Sequence, residues 1–180
     1  LVPLSKGYKS VVPKSVRRGV GNVFQNLKMP VHAVNQLLQG RPKKSGKSVA
    51  RFAVNSTIGL AGIFDPATER FGLPSQETDF ESTLARWGAG YGIYLQIPFF
   101  GPSDLRNGSG LVVDYFLNPA PYVTENPETL LINGFDFFQA FAPSADEYEK
   151  LRAKADDPYL FFRNLYLQDV ERDAVYEGAE

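Results

Sequence analysis

The chain has 180 residues, 43% apolar and 22% charged, which excludes a disordered protein and allows a sizeable core. It has no cysteine and one histidine, which excludes a disulfide scaffold, a thiolate metal site and a cysteine nucleophile. The net charge of -1 is unevenly spread: before Asp65 there are eleven of the 19 Lys and Arg and none of the 20 Asp and Glu. Such a half either faces phosphates of a nucleic acid or an anionic lipid, or folds against the acidic remainder.

In chain order, the opening "LVPLSKGYKSVVP" shows no secretory leader. "SVRRGVGNVFQNL" sets Val16, Val20, Val23, Phe24 and Leu27 on one helical face, opposite Arg17, Arg18 and Gln25. Pro30 suits the first turn of a second helix, "PVHAVNQLLQG", with Val31, Val34, Leu37 and Leu38 apolar and Gly40 ending it. His32 shares a face with Gln36 and Gln39, away from that stripe, and is expected at the surface. Asp65-Pro66, Asn126-Pro127 and Asp157-Pro158 each pair a capping side chain with a proline that needs no amide hydrogen. Thr78 with Glu81, and Ser144 with Glu147, have capping-box spacing. The first opens a helix carrying Phe80, Leu84 and Trp87 that stops at Gly88; the second opens one carrying Tyr148, Leu151 and Ala155. From Pro158 a last helix is apolar at Tyr159, Phe162, Leu165, Tyr166 and Val170.

Alternation of period two is nowhere sustained, and "YGIYLQIPFF" is too broken to anchor a sheet, so residues 88–103 and 117–125 read as irregular connections. The fold class is all-α, one domain over residues 1–180. Two stretches are unusual for a helical protein in water. "RWGAGYGIYLQIPFFGPSD", Arg86 to Asp104, has no interior charge and is rich in glycine and aromatic residues. Its glycines and Pro98 rule out a bilayer-crossing helix, which needs about 20 apolar residues. "TLLINGFDFFQAF" is apolar most of the way round, so it is either central in a core or touches lipid as well as protein.

Catalytic chemistry finds little support. His32 has no orienting acid or nucleophile cued beside it. Glu69, Glu77, Asp79 and Glu81 could hold paired carboxylates, but Asp79 and Glu81 fall in a first helical turn, where the dipole favours acids. "GAGYG" has no preceding strand and no Gly-Lys-Ser/Thr, so it reads as a chain reversal after Trp87. The expectation is no enzyme, no metal and no cofactor.

Three segments carry a resemblance. They are "SVRRGVGNVFQNLKMPVHAVNQLLQGRPKKSGKSVARFAVNSTIGLAGIFDPA", "FESTLARWGAGYGIYLQIPFFGPSDLRNGSG" and "DPYLFFRNLYLQDVERDAVYEG". Together they resemble the MlaA/VacJ family of Gram-negative outer-membrane lipoproteins, over about Pro13 to Gly178. The resemblance implies an all-helical ring lying in the periplasmic leaflet of the outer membrane. Phospholipid mislocalised in the outer leaflet would pass through its central amphipathic channel to a soluble periplasmic carrier, beside a porin trimer, with no bond made or broken. The family's lipid-bearing cysteine and upstream arm have no match in these residues.

The resemblance also implies a mobile hairpin at Glu69 to Phe80, "ERFGLPSQETDF", with Leu73 and Phe80 touching acyl chains. Leu84, Trp87, Tyr91, Tyr94, Leu95, Ile97, Phe99 and Phe100 would form channel wall and interfacial rim, since Trp and Tyr favour the lipid–water boundary. Two other readings remain: a soluble or peripheral binding protein for an apolar ligand, and a nucleic-acid binder using the basic half. The second predicts strong salt dependence and leaves the aromatic segments unexplained, so no nucleic-acid partner is expected.

Overall fold

A computed structural model of the chain describes residues 1–97 and 101–177. Its helices are α1 (Val2–Val11), α2 (Lys14–Leu38), α3 (Pro42–Thr57), α4 (Pro66–Glu69) and α5 (Phe80–Arg86). After a short two-stranded ribbon come α6 (Leu105–Leu117), α7 (Ala120–Val123), α8 (Glu128–Phe141), α9 (Ala145–Lys154) and α10 (Pro158–Glu177). Among the described residues no helix is long and apolar enough to cross a membrane.

The helical reading holds, with corrections at the joints. Pro30 does not open a second helix but lies inside α2. A proline there removes one amide and crowds the carbonyl four residues back. The apolar positions 16, 20, 23, 27, 31, 34 and 38 nevertheless keep one phase across it, and one continuous helix preserves that alignment. Gly40 ends α2 as expected, at φ 73°, with Gly40 N donating to Leu37 O at 2.9 Å and Arg41 N to Gln36 O at 2.8 Å. The cap of α5 is Asp79, not Thr78: its carboxylate accepts from Ser82 N at 2.8 Å. The Thr78 hydroxyl instead accepts from Gln39 Nε2 at 2.7 Å. Asp65 and Asp157 cap as expected, accepting from Thr68 N at 3.2 Å and Leu160 N at 3.1 Å. Asn126 does not cap α8, whose N-cap position is Pro127, and the Ser144 side chain makes no capping bond because α9 continues a 3-10 turn, Ala142–Ser144.

The aromatic stretch is also less irregular than expected. β1 (Tyr94–Ile97) and β2 (Gly101–Asp104) pair antiparallel, Tyr94 opposite Asp104 and Ile97 opposite Gly101. β2 rests on α6 and α10, so the ribbon has a packed face despite its broken alternation.

α2 and α3 form the central antiparallel pair, with α5 and α6 crossing the end of α2. α1 lies against α9, and α8 against α2. Where α5 and α6 meet, a Cβ on Gly110 would stand 2.7 Å from Glu81 N, so the helix there touches backbone through glycine. Part of the charge asymmetry resolves by pairing. Lys6 meets Glu149, Lys9 meets Asp146 at 2.6 Å, and Lys28 meets Asp136 at 2.6 Å.

The core inverts the usual order. Buried polar residues include Asn26, Asn35, Gln36, Gln39, Ser48, Arg51, Asn55 and Thr83, whereas the buried apolar ones are mostly alanine. Leu37, Leu38, Ile63, Phe64, Trp87, Phe116, Leu130 and Leu131 are all exposed. His32 is a further correction: it is 9% exposed, with Nδ1 2.5 Å from the Thr78 carbonyl, because the polar face of α2 points inward. Scattered apolar side chains are normal at a surface, but a polar interior beneath an apolar exterior is informative.

Candidate functional site

The first half of α2 carries Ser15, Val16, Gly19, Val20 and Val23 on adjoining turns, and with Ile63 they line an apolar cleft of about 510 Å³. It is a shallow depression, wide open to the surroundings, and not an enclosed pocket. Ile63 comes from the loop joining α3 to α4, which runs through Leu60 (φ 51°), Ala61 (φ 57°) and Gly62 (φ 95°). A left-handed conformation costs a non-glycine residue roughly 1–2 kcal/mol, so the loop has to be held. Gly62 N donates to Asn55 O at 2.8 Å, Phe64 N to Gly59 O at 3.0 Å, and Asn22 Nδ2 to Ile63 O at 3.1 Å. A Cβ on Gly62 would stand 2.6 Å from Asn26 Cβ, so only glycine lets the loop approach α2 this closely. The strained turn thus presents Leu60, Ile63 and Phe64 outward, at 61%, 46% and 58% exposure.

On the buried side of α2 and α3 the amide and hydroxyl side chains reach across to residues 70–79. Gln36 Nε2 donates to Gln76 O at 2.8 Å and is itself met by Ser48 Oγ, which donates to Gln36 Oε1 at 2.8 Å. Gln39 Nε2 donates to the hydroxyls of Thr78 and Thr83, and Thr83 Oγ1 donates to Asn35 Oδ1 at 2.9 Å. Arg51 holds three partners at once: Asp65 Oδ2 at 2.7 Å, Thr68 Oγ1 at 2.6 Å and Leu73 O at 2.6 Å. Asn55 Nδ2 donates to the other oxygen of Asp65 at 2.9 Å. At the far end, Asp114 of α6 accepts from Phe80 N at 3.0 Å and from Asn35 Nδ2 at 2.9 Å, fixing the start of α5.

Burial sets the electrostatics of this seam. It pushes the Asp65 carboxyl up, but hydrogen bonds from Arg51, Thr68 and Asn55 outweigh it and hold the group below its usual value. For Asp114 burial wins, and its pKa lies above the usual value despite the Phe80 and Asn35 bonds. Glu81 is likewise raised by burial, although Asn107 and Arg106 donate to it. Tyr166 is raised by burial and by donating to Asp104 Oδ2 at 2.8 Å. The arrangement supplies a fixed, mostly uncharged polar interior that ties residues 70–79 in place, with apolar surfaces turned out.

The residues singled out from the sequence fall into two groups. Phe80 and Trp87 meet edge to face with ring centroids 5.9 Å apart, half-buried Leu84 shares their helix, and Trp87 Nε1 donates to Leu38 O at 3.2 Å. Leu73 is half-buried in the tied segment. On the ribbon, Tyr94 packs against Tyr159 and Tyr166 of α10 at 6.3 and 6.0 Å, beside exposed Leu95 and half-buried Ile97. Tyr91, half-buried in the preceding turn, accepts from Arg106 N at its carbonyl, 3.3 Å away. Phe99 and Phe100 lie outside the described residues. Among the described residues of this set none lines the α2 cleft, whose Val16, Val20 and Val23 the sequence marks only as an apolar stripe. The polar seam was missed altogether. Its signal was present, because the polar face of α2 bears Asn, Gln and His where a water-facing helix would carry Lys and Glu.

Comparison with known proteins gives a consistent set of matches. The family model described as MlaA lipoprotein matches residues 1–173. The intermembrane phospholipid transport system lipoprotein MlaA of Haemophilus influenzae is 32% identical over 174 residues, spanning 95% of this chain and 69% of that protein. Its namesake in Escherichia coli K12 is 32% identical over 184 residues, 99% of this chain and 70% of that one. An uncharacterized protein of Rickettsia felis is 36% identical over 180 residues, 98% of this chain and 70% of that one. A solved structure, from work on the structural basis for maintenance of bacterial outer membrane lipid asymmetry, superposes with a TM-score of 0.80 at 28% identity, covering 96% of this chain and 86% of its own.

Proposed function

The chain belongs to the MlaA lipoprotein family, and from that premise we propose that it carries phospholipid between membranes and maintains the lipid asymmetry of the outer membrane. It works in the periplasmic leaflet of that membrane, as a ring around a central amphipathic channel. It makes and breaks no bond. Its partners are phospholipid, a porin trimer and a soluble periplasmic carrier that takes the lipid onward.

The observation that supports this reading most is the inverted distribution of side chains: an interior stitched by Asn35, Gln36, Gln39, Arg51 and Thr83 beneath a surface of Leu, Phe and Trp. Burying a Leu or Phe gains about 1.5–3 kcal/mol, so in water so many exposed apolar side chains would favour collapse or association. In the acyl region of a leaflet they are matched by their surroundings, while internal hydrogen bonds satisfy the polar groups. Lipid then follows apolar surface past Val16, Val20 and Ile63, and past the Phe80–Trp87 pair. Leu73, Leu84, Tyr91, Tyr94, Leu95 and Ile97 contribute wall and rim, and Phe99 and Phe100 extend the same set.

The test is transfer of labelled phospholipid from donor membranes containing the full-length protein to an acceptor. Val20→Glu and Phe80→Glu should each lower the rate at least tenfold, with helical circular dichroism unchanged. Wild-type rates from both folded variants would refute this route.

A further inference from the structure

Two arginines drawn deep into the fold find carboxylates: Arg51 meets Asp65 at 2.7 Å and Arg106 meets Glu81 at 3.3 Å. Arg163 of α10 does not. It is half-buried, its Nε is buried without a hydrogen-bond partner, and among the described residues it makes no ion pair. Helical spacing puts it on one face with Tyr159, four residues before it, and Tyr166, three after. Tyr94 of β1 meets both of those rings, at centroid distances of 6.3 and 6.0 Å, and so lies across the stretch of α10 that carries Arg163. Burial and Tyr159 push the Tyr94 hydroxyl up in pKa and Arg163 pulls it back, which puts the guanidinium within electrostatic reach of that hydroxyl. The acid of this corner, Asp104, is fully buried and already engaged, accepting from the Tyr166 hydroxyl at 2.8 Å and from Asn107 N at 2.8 Å.

A cation drawn out of water without a counter-ion is costly, and a guanidinium fork matches phosphate with two parallel hydrogen bonds. The helical neighbours Tyr159 and Leu160 stay 50% and 45% exposed, so the free fork opens beside aromatic and aliphatic surface. A free anion would answer the arginine and leave that surface bare, whereas a phosphodiester carrying acyl chains answers both. We propose that Arg163, framed by Tyr94 and Tyr159, holds the phosphodiester of the phospholipid that the protein carries. The inference rests on the lipid-transport reading above and assigns the headgroup end of the substrate, which the apolar α2 surface cannot recognise. Every glycerophospholipid has this group, so the site separates phospholipid from diacylglycerol and accepts zwitterionic and anionic headgroups alike.

The full chain in detergent is titrated with dioleoyl phosphatidylethanolamine, dioleoylglycerol or inorganic phosphate, and occupancy is read by native mass spectrometry. The wild type should bind the phospholipid roughly tenfold or more tightly than dioleoylglycerol, and inorganic phosphate only weakly. R163Q should lose roughly 10- to 100-fold of the phospholipid binding, the range of a charge-assisted hydrogen bond. It should keep its dioleoylglycerol binding and its helical circular dichroism. R163K, which keeps the charge without the fork, should fall between the two.

Unchanged phospholipid binding by R163Q, or an equal loss of both lipids from the folded variant, overturns the headgroup site alone. So does phosphate binding as tight as phospholipid binding, which would mark a site for a free anion. If R163Q does not fold, R163K decides in the same way: its phospholipid binding must drop and its dioleoylglycerol binding must not. Failure of the wild type to bind either lipid overturns the transport reading and this inference with it.

Discussion

Asp114 illustrates how single residues are used in this protein. It is an acid pushed up in pKa by burial, yet it accepts from Phe80 N and Asn35 Nδ2. Asp114→Asn keeps an acceptor oxygen and removes the charge, so it should match or exceed wild-type stability at neutral pH. Asp114→Leu strands both donors and should cost about 1–3 kcal/mol. A raised carboxyl pKa gives stability that is full below the unfolded value near pH 4 and is lost as pH rises through the folded value. The advantage of Asp114→Asn should therefore grow from about pH 4 to neutrality, read by denaturation in detergent. Asp65 has the opposite sign. Its folded pKa is lowered, so its contribution is present above about pH 4 and disappears as pH falls through the folded value. Removing its partner by Arg51→Leu leaves a half-buried carboxylate without its cation and frees the Leu73 carbonyl, a loss of about 1–3 kcal/mol.

At the scale of elements, capping chemistry was legible at the Asp-Pro pairs. Asp65 and Asp157 cap as their Asp-Pro pairs promise, and Gly40 and Gly88 stop their helices at φ 73° and 87°. The misplaced joints have physical causes. At Thr78 an acid stands next door and takes the cap, while the hydroxyl is claimed by Gln39 from another helix. At Pro30 an in-phase apolar stripe outweighs a local helix breaker, which a reading by punctuation alone misses. Close approach leaves its own test. Gly110→Ala puts a Cβ 2.7 Å from Glu81 N, and backbone cannot yield as a side chain does. Displacing α6 from α5 should cost about 1–3 kcal/mol. The same variant should move the Trp87 emission, since that residue directly follows α5.

For the molecule as a whole, an all-helical fold could be read from periodicity, but which side of each helix faces in could not. Hydrophobic patterning assumes that water lies outside, and on that assumption His32, Gln36 and Gln39 were given to the surface. The structure buries all three and turns out Leu37, Leu38, Leu130 and Leu131. The resemblance carried the functional reading, while the α2 cleft needed the fold of the Leu60–Gly62 turn to bring Ile63 over Gly19. A leaflet-embedded surface predicts that Leu131→Lys leaves helix content intact and weakens partition into uncharged vesicles by about 2 kcal/mol. Passage of phospholipid along this apolar surface can be caught by placing a photo-crosslinking amino acid at Val20 of α2, and separately at Glu147 of α9, in cells carrying labelled phospholipid. A protein–phospholipid adduct is expected from position 20 and little from position 147. Equal labelling at both, or none at position 20 in a correctly folded protein, would contradict it.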